Sequence, residues 1–440
     1  MNGHSVVSAH LAQTPSRLRL IERKAAFGRL DPFAAAERAQ ALSERFFLWQ
    51  SPDRSRTVFG AGELLRLTAD GPERFLEIGA AWRALDLRDA AGALLLGGFA
   101  FADAAPGGPC GDLHAADFFV PKVLVESDHA SQHASLFDLG EAEGGSDAEQ
   151  LLYRLQDESS AKGCHLRLLD PPGAKRSWSA RIRAAAAEIE RGGFEKVVLA
   201  RVRIALYDRP PALSQILRTL SEREPDCRIF AFGDGRRVFL GATPELLCLC
   251  REGTARVDCL AGSAPRSADP AADEAIGQTL LRSAKNRREH AHVVRAVESA
   301  LAGLGLAASA PDGPRLRRLA HVQHLYTPIT ALLSGNQDLF RLARALHPTP
   351  AVGGAPRDAA LAWIAPHEGL RRGFYAGAVG FVDAREDGEF DVAIRSALLL
   401  RRSARLYAGC GIVQGSDPDE EFRESEIKMR PLETALRRDR

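Results

Sequence analysis

The apolar pattern of this 440-residue chain changes texture near Lys175. Before it, short apolar runs alternate with polar loops. "RFFLWQ", "SRTVFG" and "ALLLGGFAF" have the density of strands, and "DPFAAAERAQALSERF" and "DAEQLLYRLQDES" the spacing of helices. "DAAPGGPCGD" and "GEAEGGSDAEQ" read as exposed loops. Beyond Lys175 the elements sharpen. "SWSARIRAAAAEIERGG" is a helix with serine near its start and a glycine stop. A strand follows, then the helix "ALSQILRTLSERE" and the strands "CRIFAFG", "RVFLGATPELLCLC" and "ARVDCLAGS". One helix of about thirty residues is expected from Ala272. The strands "GFYAGAVGFV", "EFDVAIRSALLL" and "RLYAGCGIVQG" lead into a last helix at "SDPDEEFRE". Strands joined by short turns predict antiparallel sheet with helices in a separate layer, an α+β fold. No repeat of 20–50 residues is evident.

The strand in "GGFEKVVLARVRIAL" carries an anomaly. Period-two counting puts Lys196, Val198 and Ala200 on one face. An ammonium among apolar neighbours is either an end-of-strand lysine that snorkels to water or a base held in a cleft. The strand alone leaves both open.

Charge narrows the partners. The formal net charge of +1 gives no global field for nucleic acid or an anionic membrane surface. No run of about eighteen apolar residues predicts a membrane span, and "MNGHSVVSAHLAQTPSRLRLIERK" lacks the apolar stretch of a secretory signal. Seven cysteines without C-x-x-C spacing argue against a disulfide framework or a zinc knuckle. A cytoplasmic protein with reduced thiols is the expectation.

Several constellations could carry chemistry. In "GSDPDEEFRESEIKMRPL", Asp417 suits an N-cap and Pro418 a first helical position. Glu421, Glu424, Ser425 and Lys428 then share a face. Two carboxylates one turn apart suit Mg²⁺, which takes hard oxygen ligands, or form a solvated first turn that complements the helix dipole. In the long helix, Leu281, Lys285, Glu289, Val293 and Val297 form one stripe, so Glu289 points inward with Asn286 one turn earlier. An inward carboxylate is either ion-paired or a metal ligand. Glu245 follows Pro244 at an irregular point in apolar surroundings, where desolvation would raise its pKa and suit it to act as an acid. The bland reading is an exposed turn acid. Arg395, expected inside a strand, could clamp a carboxylate with Tyr375, or form a structural ion pair. Gly409 and Gly411, and Gly262 with Ser263, allow close backbone approach to a ligand. His324 is a polar pocket contact or a structural histidine; it would share a face with His321 if this segment were helical, with no third ligand to suggest zinc.

The region from about 175 to 437 resembles the chorismate-utilising enzymes, and within them the isochorismate synthases. The signals are "FEKVVLAR", "FLGATPELL", "LAGSAPR", "KNRREH", "VQHLYTPI", "HPTPAVGG", "YAGAVGF", "AIRSAL" and "YAGCGIVQGSDPDEEFRESEIK", in the family's order. The resemblance implies a two-layer sandwich of large antiparallel sheets with helices outside, like anthranilate synthase component I, with residues 1–170 its N-terminal part. It implies Mg²⁺-dependent conversion of chorismate to isochorismate. Lys196 would activate water for attack at C2, and Glu245 would protonate the departing C4 hydroxyl. Glu289 and Glu424 would be the principal Mg²⁺ ligands and Glu421 a second-shell or water-mediated one. Tyr375 and Arg395 match contacts to the enolpyruvyl carboxylate. Lys428, Gly409 and Gly262–Ser263 match other carboxylate contacts, and His324 a histidine near the ring. A lysine base must be neutral near pH 7, roughly three units below its usual value, or about 4 kcal/mol.

The same resemblance separates relatives. Members that use ammonia lack this lysine, and aminodeoxychorismate synthases carry a lysine where this chain has Ala261. No glutaminase subunit is therefore expected, and a monomer is the family default. Salicylate synthases share the lysine and add a pyruvate elimination, but "HPTPAVGG", with Ala351, looks like the isochorismate type. "RFFLWQSPDRSRTVFGAG" looks more like menaquinone-pathway than siderophore-pathway members. Asn286 departs from the pattern, since relatives carry an acid there. It hints at altered metal affinity, at salicylate synthesis, or at a chorismate-binding protein with little turnover.

Overall fold

The computed structural model describes residues 18–139, 147–157, 164–320 and 322–437. Strand pairing is almost wholly antiparallel and organises two large sheets. One runs through Phe46–Gln50, Arg228–Gly233, Val238–Thr243, Ser396–Leu400, Ser403–Ile412 and Lys196–Tyr207. The other runs through Leu94–Phe99, Ala378–Asp383, Gly388–Val392, Leu246–Arg251, Thr254–Pro265 and Val322–Leu332. The long pair Arg56–Ala69 and Ala116–Asp128 belongs to both.

Alternation along the strands builds two cores. Phe47, Trp49, Phe230 and Phe232 enter one, and Phe46, Leu48, Ile229 and Ala231 the other. Trp49 meets Phe381 of the second sheet edge-on at 5.2 Å, so the first core lies between the sheets. Helices Pro32–Ala41, Leu213–Arg223 and Pro418–Arg437 bury their apolar faces on the first sheet. Helices Arg74–Ala84 and Leu339–Leu346 cover the second, where Phe75 stacks on Phe99 at 3.9 Å and Phe340 lies on Phe390. This is the expected α+β sandwich.

Four local expectations are corrected. The thirty-residue helix is two helices, Pro270–Arg282 and Ala284–Gly303. Ser283 breaks it with extended backbone, and its hydroxyl accepts from Asn286 N as the second helix's N-cap. Arg395 is not inside a strand: it lies between Gly388–Val392 and Ser396–Leu400 with φ of 51°. Tyr375 precedes its strand, which starts at Ala378. His324 lies on the strand Val322–Leu332 rather than a helix, and His321 falls outside the described residues.

The breaks position the site. Val238–Thr243 pairs with Ser396–Leu400 in the first sheet, and Leu246–Arg251 with Gly388–Val392 in the second. Both chains therefore cross from sheet to sheet side by side, at Pro244–Glu245 and at Ala393–Arg395. Proline lacks a donor for the ladder, and an L-residue at positive φ cannot continue a strand.

Candidate active site

All twelve candidate residues line one cavity of about 340 Å³: Lys196, Glu245, Gly262, Ser263, Glu289, His324, Tyr375, Arg395, Gly409, Glu421, Glu424 and Lys428. The strand Lys196–Tyr207 forms one wall. Its Val197 and Leu199 pack with Trp178, Ile182 and Ile364, each large apolar side chain contributing about 1.5–3 kcal/mol. That anchoring turns Lys196 and Val198 toward the cavity. The adjacent strand supplies glycines where the site needs space. A Cβ on Gly411 would lie 2.8 Å from Lys196 Cε, and one on Gly409 2.8 Å from the Tyr375 hydroxyl.

Lys196 Nζ donates to Glu289 Oε1 at 3.1 Å, and their side chains are 12% and 33% exposed. The lysine is thus held within the cleft and does not snorkel. Glu245 is buried, and its backbone is fixed on both sides. Glu245 N donates to Thr243 Oγ1 at 3.2 Å, and its carbonyl accepts from Val392 N at 2.9 Å. Burial raises its carboxyl pKa to about 7 against the pull of Lys196, Lys428 and Arg395. Burial likewise lowers His324 to about 3, helped by Arg395 and Lys428, so its ring is neutral. The ring's Nδ1 lies 2.8 Å from Ser263 Oγ. Burial raises the Tyr375 phenol to about 12, so it stays protonated and able to donate.

The C-terminal helix opens as expected, with Asp417 Oδ1 accepting from Asp419 N and Glu420 N at 2.9 Å each. Lys428 Nζ donates to Gly409 O at 2.9 Å and lies 2.6 Å from Glu424 Oε1. Burial works against that ammonium, but the charge and hydrogen bond of Glu424 help to hold its pKa above the usual value. Glu421 is raised by burial and then by the charge of Glu424. Two carboxylates crowd here without full compensation, and one ligand atom from each, with Cys410 Sγ, falls within 4.8 Å of the others. The Cys410 thiol donates to Glu421 O, and burial raises its pKa strongly, which keeps it protonated and unfit as a ligand. The oxygens that remain are hard donors suited to Mg²⁺. Glu289 lines the same cavity outside this cluster, with Oε1 on Lys196.

Sequence reasoning placed Lys285 on the stripe of Glu289 without naming it as a site residue, and it missed how the wall formed by strand Lys196–Tyr207 is closed. Along one edge, Lys196 and Val197 pair with Gly354–Ala355, and Ile204–Tyr207 with Leu166–Leu169. Between these pairings a buried ion pair takes the place of a strand. Glu368 Oε1 accepts from Ala200 N at 2.6 Å, and Arg372 donates to Val198 O at 2.6 Å and to Val352 O at 2.8 Å. Glu368 and Arg372 meet at 2.7 Å, each 2% exposed. Arg372→Met would leave a buried carboxylate unpaired. It is expected to cost about 3–5 kcal/mol in urea denaturation. Arg372→Lys should recover only part of this, because lysine lacks the planar fork. A loss below about 1 kcal/mol would show that the pair does not hold this edge.

Residues 7–437 match the family model for chorismate binding enzymes. The chain belongs to that family. Within it, its relatives include isochorismate synthases and an anthranilate synthase component 1. The chain is 32% identical over 455 residues to isochorismate synthase MenF of Bacillus subtilis, across 97% of this chain and 95% of that one. It is 45% identical over 263 residues to the salicylate biosynthesis isochorismate synthase of Pseudomonas aeruginosa, across 60% of this chain and 55% of that one. The fold is similar to that of MenF, the menaquinone-specific isochorismate synthase of Escherichia coli, with TM-score 0.80 and 27% identity across 97% of both chains. No helix among the described residues is long and apolar enough to cross a membrane.

Proposed function

We propose that this enzyme is an isochorismate synthase that moves the hydroxyl of chorismate from C4 to C2 by a water addition coupled to a water loss. The observation that carries the reading is one cavity holding both Lys196 and Glu245, a carboxyl poised near neutrality. Lys196 takes a proton from the water that attacks C2. The ring double bonds shift, and the C4 oxygen leaves as water with a proton from Glu245. One water enters and one departs, so the reaction is an isomerisation. Each turnover moves one proton from Glu245 to Lys196, and solvent exchange resets the pair.

Arg395, placed at its kink, and Tyr375 offer a cation and a phenol donor for one carboxylate of the substrate. Glu289 and Glu424, with Glu421 directly or through a water, would hold Mg²⁺, which when bound supplies a cation for the ring carboxylate. The crowding of Glu421 against Glu424 supports that assignment. Asn286 lines the cavity, and its Nδ2 donates to Ser283 Oγ at 2.9 Å, so it is tied to the helix cap and adds no charge.

The test is purified protein with chorismate, resolved by chromatography with Mg²⁺ or with EDTA. Isochorismate in equilibrium with chorismate, abolished by EDTA and restored by Mg²⁺, is expected. Accumulating salicylate and pyruvate would instead identify a salicylate synthase, and unchanged chorismate a binding protein. Glu424→Gln is expected to raise the Mg²⁺ concentration for half-maximal rate by about tenfold or more. An unchanged Mg²⁺ requirement would remove Glu424 from the ligand set.

A further inference from the structure

Behind the strand that carries Lys196 lies a second cavity of about 800 Å³ that the proposed reaction does not use. Phe75, Phe101, Ile364 and Leu370 give it apolar walls, and five arginines line it. Three of these are already paired: Arg372 with Glu368, Arg344 with Glu73, and Arg357 with Asp358 at 3.6 Å. Arg371 is exposed. Arg74 is different. It is only 5% exposed, and no carboxylate lies within ion-pair distance of it among the described residues. It donates to the carbonyls of Gly71 at 3.2 Å and Ala100 at 3.3 Å, and its Nε has no partner. Its guanidinium lies 4.8 Å from the centre of the Phe75 ring. Burial lowers its pKa to about 10 against the attraction of Asp103 and Asp70, so the charge persists at neutral pH without full compensation.

We infer that this cavity is a second ligand site, which takes a small organic carboxylate with its charged end on Arg74 and its apolar body against Phe75 and Phe101. One buried guanidinium with no carboxylate partner within ion-pair distance among the described residues leaves a positive charge that one carboxylate would balance. The apolar side chains on its walls, Phe75, Phe101, Ile364 and Leu370, suit a hydrocarbon body. The site backs onto the active site, since the Arg372 guanidinium that holds Val198 O lies 4.0 Å from the centre of the Phe101 ring.

The probe is para-fluorobenzoate, titrated into the full-length protein and followed by fluorine NMR. Saturable binding is expected. It should survive Arg395→Gln, which disables the carboxylate clamp of the active site. It should weaken about tenfold or more in Arg74→Met. Ala362→Trp should weaken it as much, by filling the cavity from an exposed lining position, and keeps the test valid if Arg74→Met fails to fold. The inference is overturned if binding is not saturable, or if Arg395→Gln abolishes it while Arg74→Met and Ala362→Trp leave it intact. Inorganic phosphate binding in place of the benzoate would overturn the carboxylate assignment.

Discussion

Replacing Lys196 with alanine is expected to lower kcat by about 10²–10⁴-fold and to change KM for chorismate by only a few-fold. The range is that of a positioned general base. KM should hold because the candidate carboxylate contacts, Arg395, Tyr375 and Lys428, come from other elements. Neither of the other two lysines in the cavity is placed to substitute. Lys428 is committed to Glu424 and Gly409 O. Lys285 is exposed on the first turn of its helix. Steady-state rates from chromatographed product measure the effect. A variant that keeps most of its rate would remove Lys196 from the chemistry.

Glu245→Gln should have opposite effects on rate and stability. Glutamine cannot give up a proton to the C4 oxygen, so kcat falls by about 10²–10⁴-fold. The alkaline limb of the wild-type profile, set by loss of the Glu245 proton above about pH 7, disappears with it. The folded protein gains at the same time. Because the folded-state pKa lies above the ordinary 4.5, the native state holds this proton where the unfolded chain has released it. Stability therefore falls as pH rises from about 4.5 to about 7, and the whole cost is present above that window. The difference, at about 1.4 kcal/mol per pH unit, comes to roughly 3 kcal/mol. Removing the buried charge should then raise the melting temperature at pH 8 and change little at pH 4. Equal melting temperatures at pH 8 would mean that the carboxyl is solvated and carries no stored cost. This is the trade between stability and activity expected of a desolvated catalytic group.

The site was legible where local rules act. Period two turned Lys196 into the cleft, the Asp417–Pro418 start phased Glu421, Glu424 and Lys428 onto one cavity-facing side, and Pro244 marked the break beside the buried, cavity-lining Glu245. What escaped is set by distant partners. "AIRSAL" holds no glycine or proline around Arg395, so nothing nearby signals that the chain changes sheets there; the break answers the one beside it at Pro244–Glu245. Ser283 was overlooked because its flanks share one helical stripe and a serine is tolerated there, yet its hydroxyl serves as a cap. Glu368 and Arg372, spaced like a solvated helical pair in "HEGLRRGFYAG", are buried because they bond the edge of strand Lys196–Tyr207 opposite its pairing with Ser403–Ile412, at Val198 O and Ala200 N.

The most direct test of the account runs the reaction in heavy-oxygen water and analyses the product by mass spectrometry. Attack of water at C2 with loss of the C4 hydroxyl predicts isochorismate carrying one solvent oxygen, at C2. Isochorismate formed without solvent oxygen would contradict the roles given to Lys196 and Glu245, and no isochorismate at all would contradict the assigned reaction.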